Sequence, residues 1–308
     1  MTVDIAVRGP HTSPAVRRRV GPWVCLVAAA ACWATYTPVT SVALNARMPV
    51  SALLFVQVAA ATAVLWSAVV LRGRGPVPNL GRIAMLGVLE PGANCTFFSL
   101  GLTVLPSAAS SLLLSSESVL VAVLGVLVLG ERLGRPGWAG LGAGVLGLWV
   151  LSGAQGTGGF SPGALLVIAA TGASAIYCVT AARVMRDDRV DVIATTAWQY
   201  NVGLLCVGAL AAGQLVADPG RLAAQVALIP APVWATAAAG GLLLAVPSLL
   251  YNAAIRHIPI AAAGVVLNLI PVLGAAIGVL ALGDRLAVHQ VVGAAVTVAG
   301  IVLLTARR

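Results

Sequence analysis

The sequence has no lysine and few charged residues of any kind. Of its 308 residues, 60% are hydrophobic and 9% are charged, against a charged share of about 25% in soluble domains. A soluble core cannot absorb that much apolar surface. Without lysine the chain also lacks a G-x-x-x-x-G-K-[ST] loop, so ATP cannot drive it through a Walker A site.

Catalytic and metal-binding motifs are missing as well. The three histidines, His11, His257 and His289, lie in a polar tail or at the ends of apolar stretches, and no H-E-x-x-H or G-x-S-x-G sequence occurs. The five cysteines show no paired metal-ligand spacing, and we interpret them as small core residues. The sequence therefore predicts no enzyme, no cofactor and no metal site.

Long uncharged stretches separate the few charges. A membrane span requires about 20 mostly apolar residues, and the stretch 136–182 holds two, divided by the glycine-rich segment 153–159. Spans in lipid are helices unless short alternating segments indicate a barrel, and none do. The prediction is an all-α integral membrane protein with ten transmembrane helices. These are 21–43, 50–71, 83–104, 107–129, 137–153, 162–183, 192–215, 233–255, 260–282 and 288–306.

Arginine distribution predicts the topology. All 18 basic residues are arginines; with the N-terminus inside, fifteen face the cytoplasm and three, Arg47, Arg221 and Arg285, face outwards. This bias predicts a multi-pass cell-membrane protein with both termini cytoplasmic, since basic loops stay inside. Residues 1–20 form a cytoplasmic tail before an uncleaved first helix. The net charge of +9 thus reflects topology, and no nucleic-acid partner is expected.

The chain contains an internal repeat. Residues 106–151 match residues 259–304 at a constant offset of 153, with Pro106 on Pro259. The predicted units are 21–155 and 160–306. Because each holds five spans, the two copies must lie in opposite orientations across the membrane.

Two segments carry a family resemblance. Leu-Gly-Glu-Arg-Leu (129–133) and Leu-Gly-Asp-Arg-Leu (282–286) each precede a glycine-spaced helix, and this pattern resembles the EamA-like branch of the drug/metabolite transporter superfamily. The resemblance implies two inverted five-helix repeats. It also implies a secondary transporter, with export favoured, that moves a small organic metabolite or drug-like compound by alternating access.

Alternatives to this transporter remain open at the level of sequence. One is a passive facilitator or channel without ion coupling, and another is a membrane-embedded enzyme. The expected partners are a small-molecule substrate and membrane lipid. The chain is expected to work as a monomer, with a dimer left open.

Two carboxyl groups lie at membrane depth, Glu90 and Glu117. At about 1.5 Å per helical residue they lie roughly 12 and 13 Å from the inner face, so both are expected in one cavity, an arrangement that suits proton coupling. Ionisable residues within the membrane are usually functional. The alternative is simple hydrogen bonding to a backbone group or a serine. Pro91 breaks the helix beside Glu90, and Asn94 follows one turn later; the alternative here is a packing kink.

Aromatic and polar side chains of other spans complete the predicted substrate or proton pathway, although polar groups also serve as contacts between helices. These candidates are Trp33, Tyr36, Gln57, Tyr177, Gln199, Tyr251 and Asn268. The recurring pairs Glu131-Arg132 and Asp284-Arg285 close apolar helices at the membrane surface. We assign them structural roles in helix capping and topology.

Overall fold

The computed structural model describes residues 14–73, 75–129, 134–151, 160–258 and 260–305. All regular structure in these ranges is helical. The predicted loop 153–159, the pair Glu131-Arg132 and the start of the tail lie outside the described residues. The helices are α1 (Pro14–Asn45), α2 (Val50–Arg72), α3 (Leu80–Gly87), a π turn (Val88–Ala93), α4 (Asn94–Leu102), α5 (Ser107–Leu113), α6 (Ser116–Leu129), α7 (Arg135–Leu151), α8 (Pro162–Met185), α9 (Val192–Ala217), α10 (Pro219–Ala227), α11 (Ala231–Ile255), α12 (Ile260–Leu267), α13 (Leu269–Leu282) and α14 (Val288–Thr305).

Six helical segments are long and apolar enough to cross a membrane, and each coincides with a predicted span. They are Gly21–Asn45, Val50–Arg72, Leu80–Leu102, Pro162–Met185, Val192–Ala217 and Ala231–Ile255. Four shorter apolar helices lie within the other predicted spans: Ser107–Val121, Gly137–Leu151, Leu269–Leu282 and Val288–Gly300. Helix α10 is additional and buries none of its residues. It lies between the predicted spans 192–215 and 233–255.

The two halves of the chain, 14–151 and 160–305, pack against each other in matched pairs. Helix α1 contacts α13 and α11, while its counterpart α8 contacts α6 and α4. Helix α2 packs on α11, and its counterpart α9 packs on α3. Helices α7 and α14, the last of each half, pack on one another. These contacts of one half are therefore repeated by the other, as expected for two copies of one unit.

Glycines bring α7 and α14 into backbone contact. A Cβ atom on Gly147 would meet the backbone of Gly293 and Thr297, and one on Gly300 would meet the backbone of Gly140 and Gly144. Small residues allow this approach, which is the main source of helix affinity in lipid.

The sequence predicts one continuous helix for the fourth span of each half, 107–129 and 260–282, but both helices are broken. The first breaks between α5 and α6 at Leu114 and Ser115, and the second breaks between α12 and α13 at Asn268. The offset of 153 places Ser115 and Asn268 at equivalent positions. The Ser118 hydroxyl donates to Asn268 Oδ1 at 2.7 Å, so the two broken helices are joined near their breaks.

Candidate functional site

A cavity of about 90 Å³ lies between the two halves of the chain. A buried water requires about 10–15 Å³ on this scale, so the cavity has room for several waters or a small organic group. The first half lines it from α1, the π turn, α4 and α6, and the second half from α8, α11, α12 and α13. Seven predicted residues line it: Trp33, Tyr36, Glu90, Asn94, Glu117, Tyr177 and Tyr251.

Glu90 lies in the π turn, where the chain leaves helical geometry. Its φ of −140° and ψ of 114° are extended, because the ring of a proline clashes with a helical conformation of the residue before it. The Asn94 N–H, which would bond to the Glu90 carbonyl in a regular helix, bonds to the Leu89 and Pro91 carbonyls, and the Nε2 atom of Gln199 in the other half donates to the Glu90 carbonyl oxygen at 2.8 Å. Glu90 is 7% exposed, and its carboxyl accepts from the Cys95 thiol at 3.8 Å.

Glu117 enters the cavity from the first turn of α6. Its Oε1 atom accepts from the Ser174 hydroxyl and from the Cys178 thiol, each at 3.2 Å. Both donors belong to α8. Glu90 and Glu117 line the same cavity. Each of these two acids therefore has a thiol neighbour, and the two acids share one cavity.

Aromatic rings form another part of the cavity wall. The Trp33 and Tyr251 ring centroids are 5.5 Å apart, and those of Tyr177 and Tyr251 are 6.4 Å apart. The Tyr177 hydroxyl donates to Asn252 Oδ1 at 2.8 Å, which holds the ring in place. Rings around a small space with nearby carboxylates suit a cationic or amphipathic guest, because aromatic faces attract cations.

The other four predicted residues do not line this cavity. They contact residues that line it or the helices that carry those residues. Gln57 accepts from the Tyr36 hydroxyl at 3.0 Å, and Gln199 holds the Glu90 carbonyl as described above. Pro91 packs its ring on Gly203, and Asn268 joins the two broken helices. The structure thus places these residues behind the cavity wall.

Several lining residues were not among the sequence candidates. Cys95 and Cys178 were interpreted as core residues; they are buried, but their thiols donate to the two acids. Ser174 lies one turn before Cys178 on α8, flanking Tyr177, and this polar spacing was the available signal. Phe98 and Thr37 also line the cavity, and nothing in their local sequence distinguishes them. Within the described ranges, no cluster of three His, Cys, Asp or Glu side chains could hold a metal ion.

Comparison with known proteins identifies the family. The model of the EamA-like transporter family matches residues 22–153 and again residues 161–306. No curated protein matches the chain. Among 27 similar chains of solved structures, one crystal structure has a TM-score of 0.63 and 21% sequence identity, covering 94% of this chain and 99% of the other. At that identity the likeness concerns the fold alone.

Proposed function

Because the chain belongs to the EamA-like transporter family, a family of membrane transporters rather than enzymes, we propose that it is a secondary transporter of the cell membrane. Its substrate is a small organic metabolite or drug-like compound, and the direction is export. The two family repeats and the apolar helices make it a multi-pass membrane protein.

The proposed architecture is ten spans in two inverted repeats, 21–155 and 160–306, with both termini cytoplasmic. Five spans per repeat require opposite orientations, and the fifteen-to-three arginine bias supports the cytoplasmic termini. The matched contacts of the two halves support a pseudo-two-fold relation between them. Repeats of this kind move against each other around a site that they share.

The observation that carries the proposal is the composition of the cavity. The first, third and fourth spans of each half line it, and the two acids of the described spans lie in its wall. Both fourth spans are broken beside it, and broken helices supply free backbone groups for a substrate in secondary transporters. A rocking motion of the halves would expose such a site to each side in turn.

The chemistry of the lining favours coupling to protons or transport of a cation. None of the lining residues is basic, and two carboxyls face a low-dielectric space, where a single proton or cation relieves their repulsion. The same pair can exchange one proton for one cationic substrate. We therefore assign proton or cation binding to Glu90 and Glu117.

Metabolite comparison of cells with and without the protein should first identify the substrate. Flux in proteoliposomes then tests the acids: Glu90→Gln keeps the shape and hydrogen bonding of the side chain but removes its titratable charge, so flux should fall or lose its pH dependence. Asp218→Asn is the matched control, since Asp218 caps α10 by accepting from Arg221 N at 3.0 Å outside the cavity. It should transport normally.

Two results would change the proposal. If Glu90→Gln and Glu117→Gln both transport normally at every pH, coupling through the carboxyls is wrong, and the protein is a facilitator whose selectivity comes from pocket shape and aromatic contacts. Product formation without flux would instead indicate an enzyme.

A further inference from the structure

Five buried hydroxyls lie on α1 and α5, two helices that contact each other, and have no hydrogen-bond partner in the described part of the chain. They are Thr37, Ser41, Ser107, Ser110 and Ser111, and none is more than 5% exposed. We call this group the hydroxyl seam. Buried polar groups in proteins nearly always have a partner, so five neighbouring exceptions point to a partner that comes from outside the protein.

Among the described residues, Ser99 and Thr195 also have buried hydroxyls without a partner, but they lie singly on α4 and α9. Other hydroxyls of the spans bond to the preceding turn of their own helix. Thr35 donates to the Ala31 carbonyl oxygen at 3.0 Å, Ser67 to that of Ala63 at 2.9 Å, and Thr236 to that of Pro232 at 2.9 Å. This bond to the preceding turn is the ordinary solution for serine and threonine in a helix. The hydroxyl seam does not use it, so the helical setting alone does not explain the free hydroxyls.

The seam begins at the cavity. Thr37 is itself a lining residue, and Leu114, which follows α5, is another. From Thr37 the seam runs along α1 to Ser41, four residues before the end of that helix at Asn45. On α5 it runs from Ser111 back to Ser107, the first residue of the helix. At 1.5 Å per residue the seam covers about 6 Å of each helix. The lining residues Thr37 and Leu114 lie about 10–12 Å from the outer ends of α1 and α5 in the proposed topology, so the seam occupies about half of that distance.

Glycines of α13 pack against α1 and α5 beside the hydroxyl seam. A Cβ atom on Gly274 would meet the Ser111 hydroxyl and the Ala34 carbonyl oxygen, so α1, α5 and α13 converge there. One turn farther out, a Cβ on Gly278 would meet the backbone of Ala108. At these two positions no side chain of α13 lies between the three helices. Water is excluded there because the glycine backbone of α13 packs directly on α1 and α5.

Asp284 closes the outer end. Its Oδ2 atom accepts from the Ala108 backbone N–H at 2.7 Å, which ties the loop after α13 to the start of α5. A single hydrogen bond between the two halves at the mouth is easily exchanged for water.

We propose that the hydroxyl seam is the outer half of the transport route, closed in this structure, and that polar groups of the substrate and its water bind these hydroxyls when α1, α5 and α13 separate. This inference rests on the proposed transport function. It assigns the substrate a hydrogen-bonding surface, because an apolar guest would gain nothing from five free hydroxyls.

Thiol labelling in membrane vesicles tests the seam without knowledge of the substrate. The five native cysteines are replaced by alanine in the full chain, and single cysteines are introduced as Ser41→Cys or Ser110→Cys. The control is Thr236→Cys, which lies about 7.5 Å along α11 from its outer end, against about 6 Å for Ser41 on α1. The probe is the membrane-impermeant trimethylammonium-ethyl methanethiosulfonate, and the readout is the mass of the protein.

Seam thiols should react from the outer side roughly tenfold faster than Thr236→Cys, because only a hydrated thiol ionises and reacts. A retained Cys178, as the sole thiol, should react through the same route. In the chain that keeps Cys178 as its sole thiol, Ser41→Leu should slow the labelling of Cys178 from outside by about tenfold and leave labelling from inside unchanged. The control Thr236→Leu should leave the labelling of Cys178 unchanged from both sides.

The outcomes test the seam as the outer route separately from the proposed transport by alternating access. If Cys178 reacts from outside but the seam thiols never do, and Ser41→Leu has no effect, the route lies elsewhere; the inference is wrong while the transport proposal stands. If Cys178 reacts from neither side, the cavity does not open and alternating access is wrong as well. If the seam thiols react while Cys178 does not, the seam does not lead to the cavity, and the inference again fails.

Discussion

Replacing Gly147 by alanine should weaken the contact between α7 and α14. The new Cβ would lie against the Thr297 hydroxyl, the Thr297 nitrogen and the Gly293 carbonyl oxygen. Two of these three atoms are backbone and cannot rotate away, so the helices must move apart. Overpacking of this kind costs about 1–3 kcal/mol.

Gly142→Ala is the matched control on the same helix. Among the described residues, no atom of another helix lies within 4 Å of its added Cβ, and both substitutions gain the same helix propensity, about 1 kcal/mol. That gain cancels when the two variants are compared. Gly147→Ala should therefore be less stable than Gly142→Ala by about 1–3 kcal/mol.

Unfolding in mixed micelles titrated with sodium dodecyl sulfate measures this difference directly. Helix loss followed by circular dichroism gives the free energy of unfolding of each variant. Variants that agree within about 0.5 kcal/mol, the range of ordinary surface substitutions, would refute the backbone contact between α7 and α14 and the packing account built on it.

Three further predictions concern two hydrogen bonds at helix ends and the orientation of the chain in the membrane. Asp284→Ala should lose about 1 kcal/mol of stability in the same titration, as expected for a lost helix cap, and Asp284→Asn should lose less because its amide oxygen can still accept from Ala108 N. Arg256 donates to three backbone carbonyl oxygens between residues 185 and 190. Arg256→Lys keeps the positive charge but loses the planar guanidinium that donates to several acceptors at once. The free energy of unfolding should therefore fall by about 1–3 kcal/mol. In vesicles, Gly220→Cys should react with an impermeant thiol reagent from outside and Asp188→Cys only from inside; the reverse pattern would contradict the proposed topology.

The candidate site was partly accessible from sequence. Glu90 and Glu117 stand out because a carboxyl at membrane depth is costly wherever its helix packs. The helix break at Glu90 also follows from local chemistry, since proline lacks an N–H group and its ring disfavours a helical conformation of the residue before it. The partners of these acids could not be foreseen. Cys95, Cys178 and Ser174 resemble small packing residues, and only the placement of α4 and α8 brings them to the carboxyls.

The sequence by itself determined the class of protein, the position of its apolar helices and the two-repeat organisation, because lipid demands long apolar helices and a repeat is written directly in the residues. Tertiary structure alone decided the breaks at Ser115 and Asn268, the unpaired hydroxyls of α1 and α5, and the link from Asp284 to Ala108. Each depends on which faces of distant helices meet. In a chain that is apolar all round its helices, hydrophobic periodicity carries little information about that choice, and close packing of small residues makes it instead.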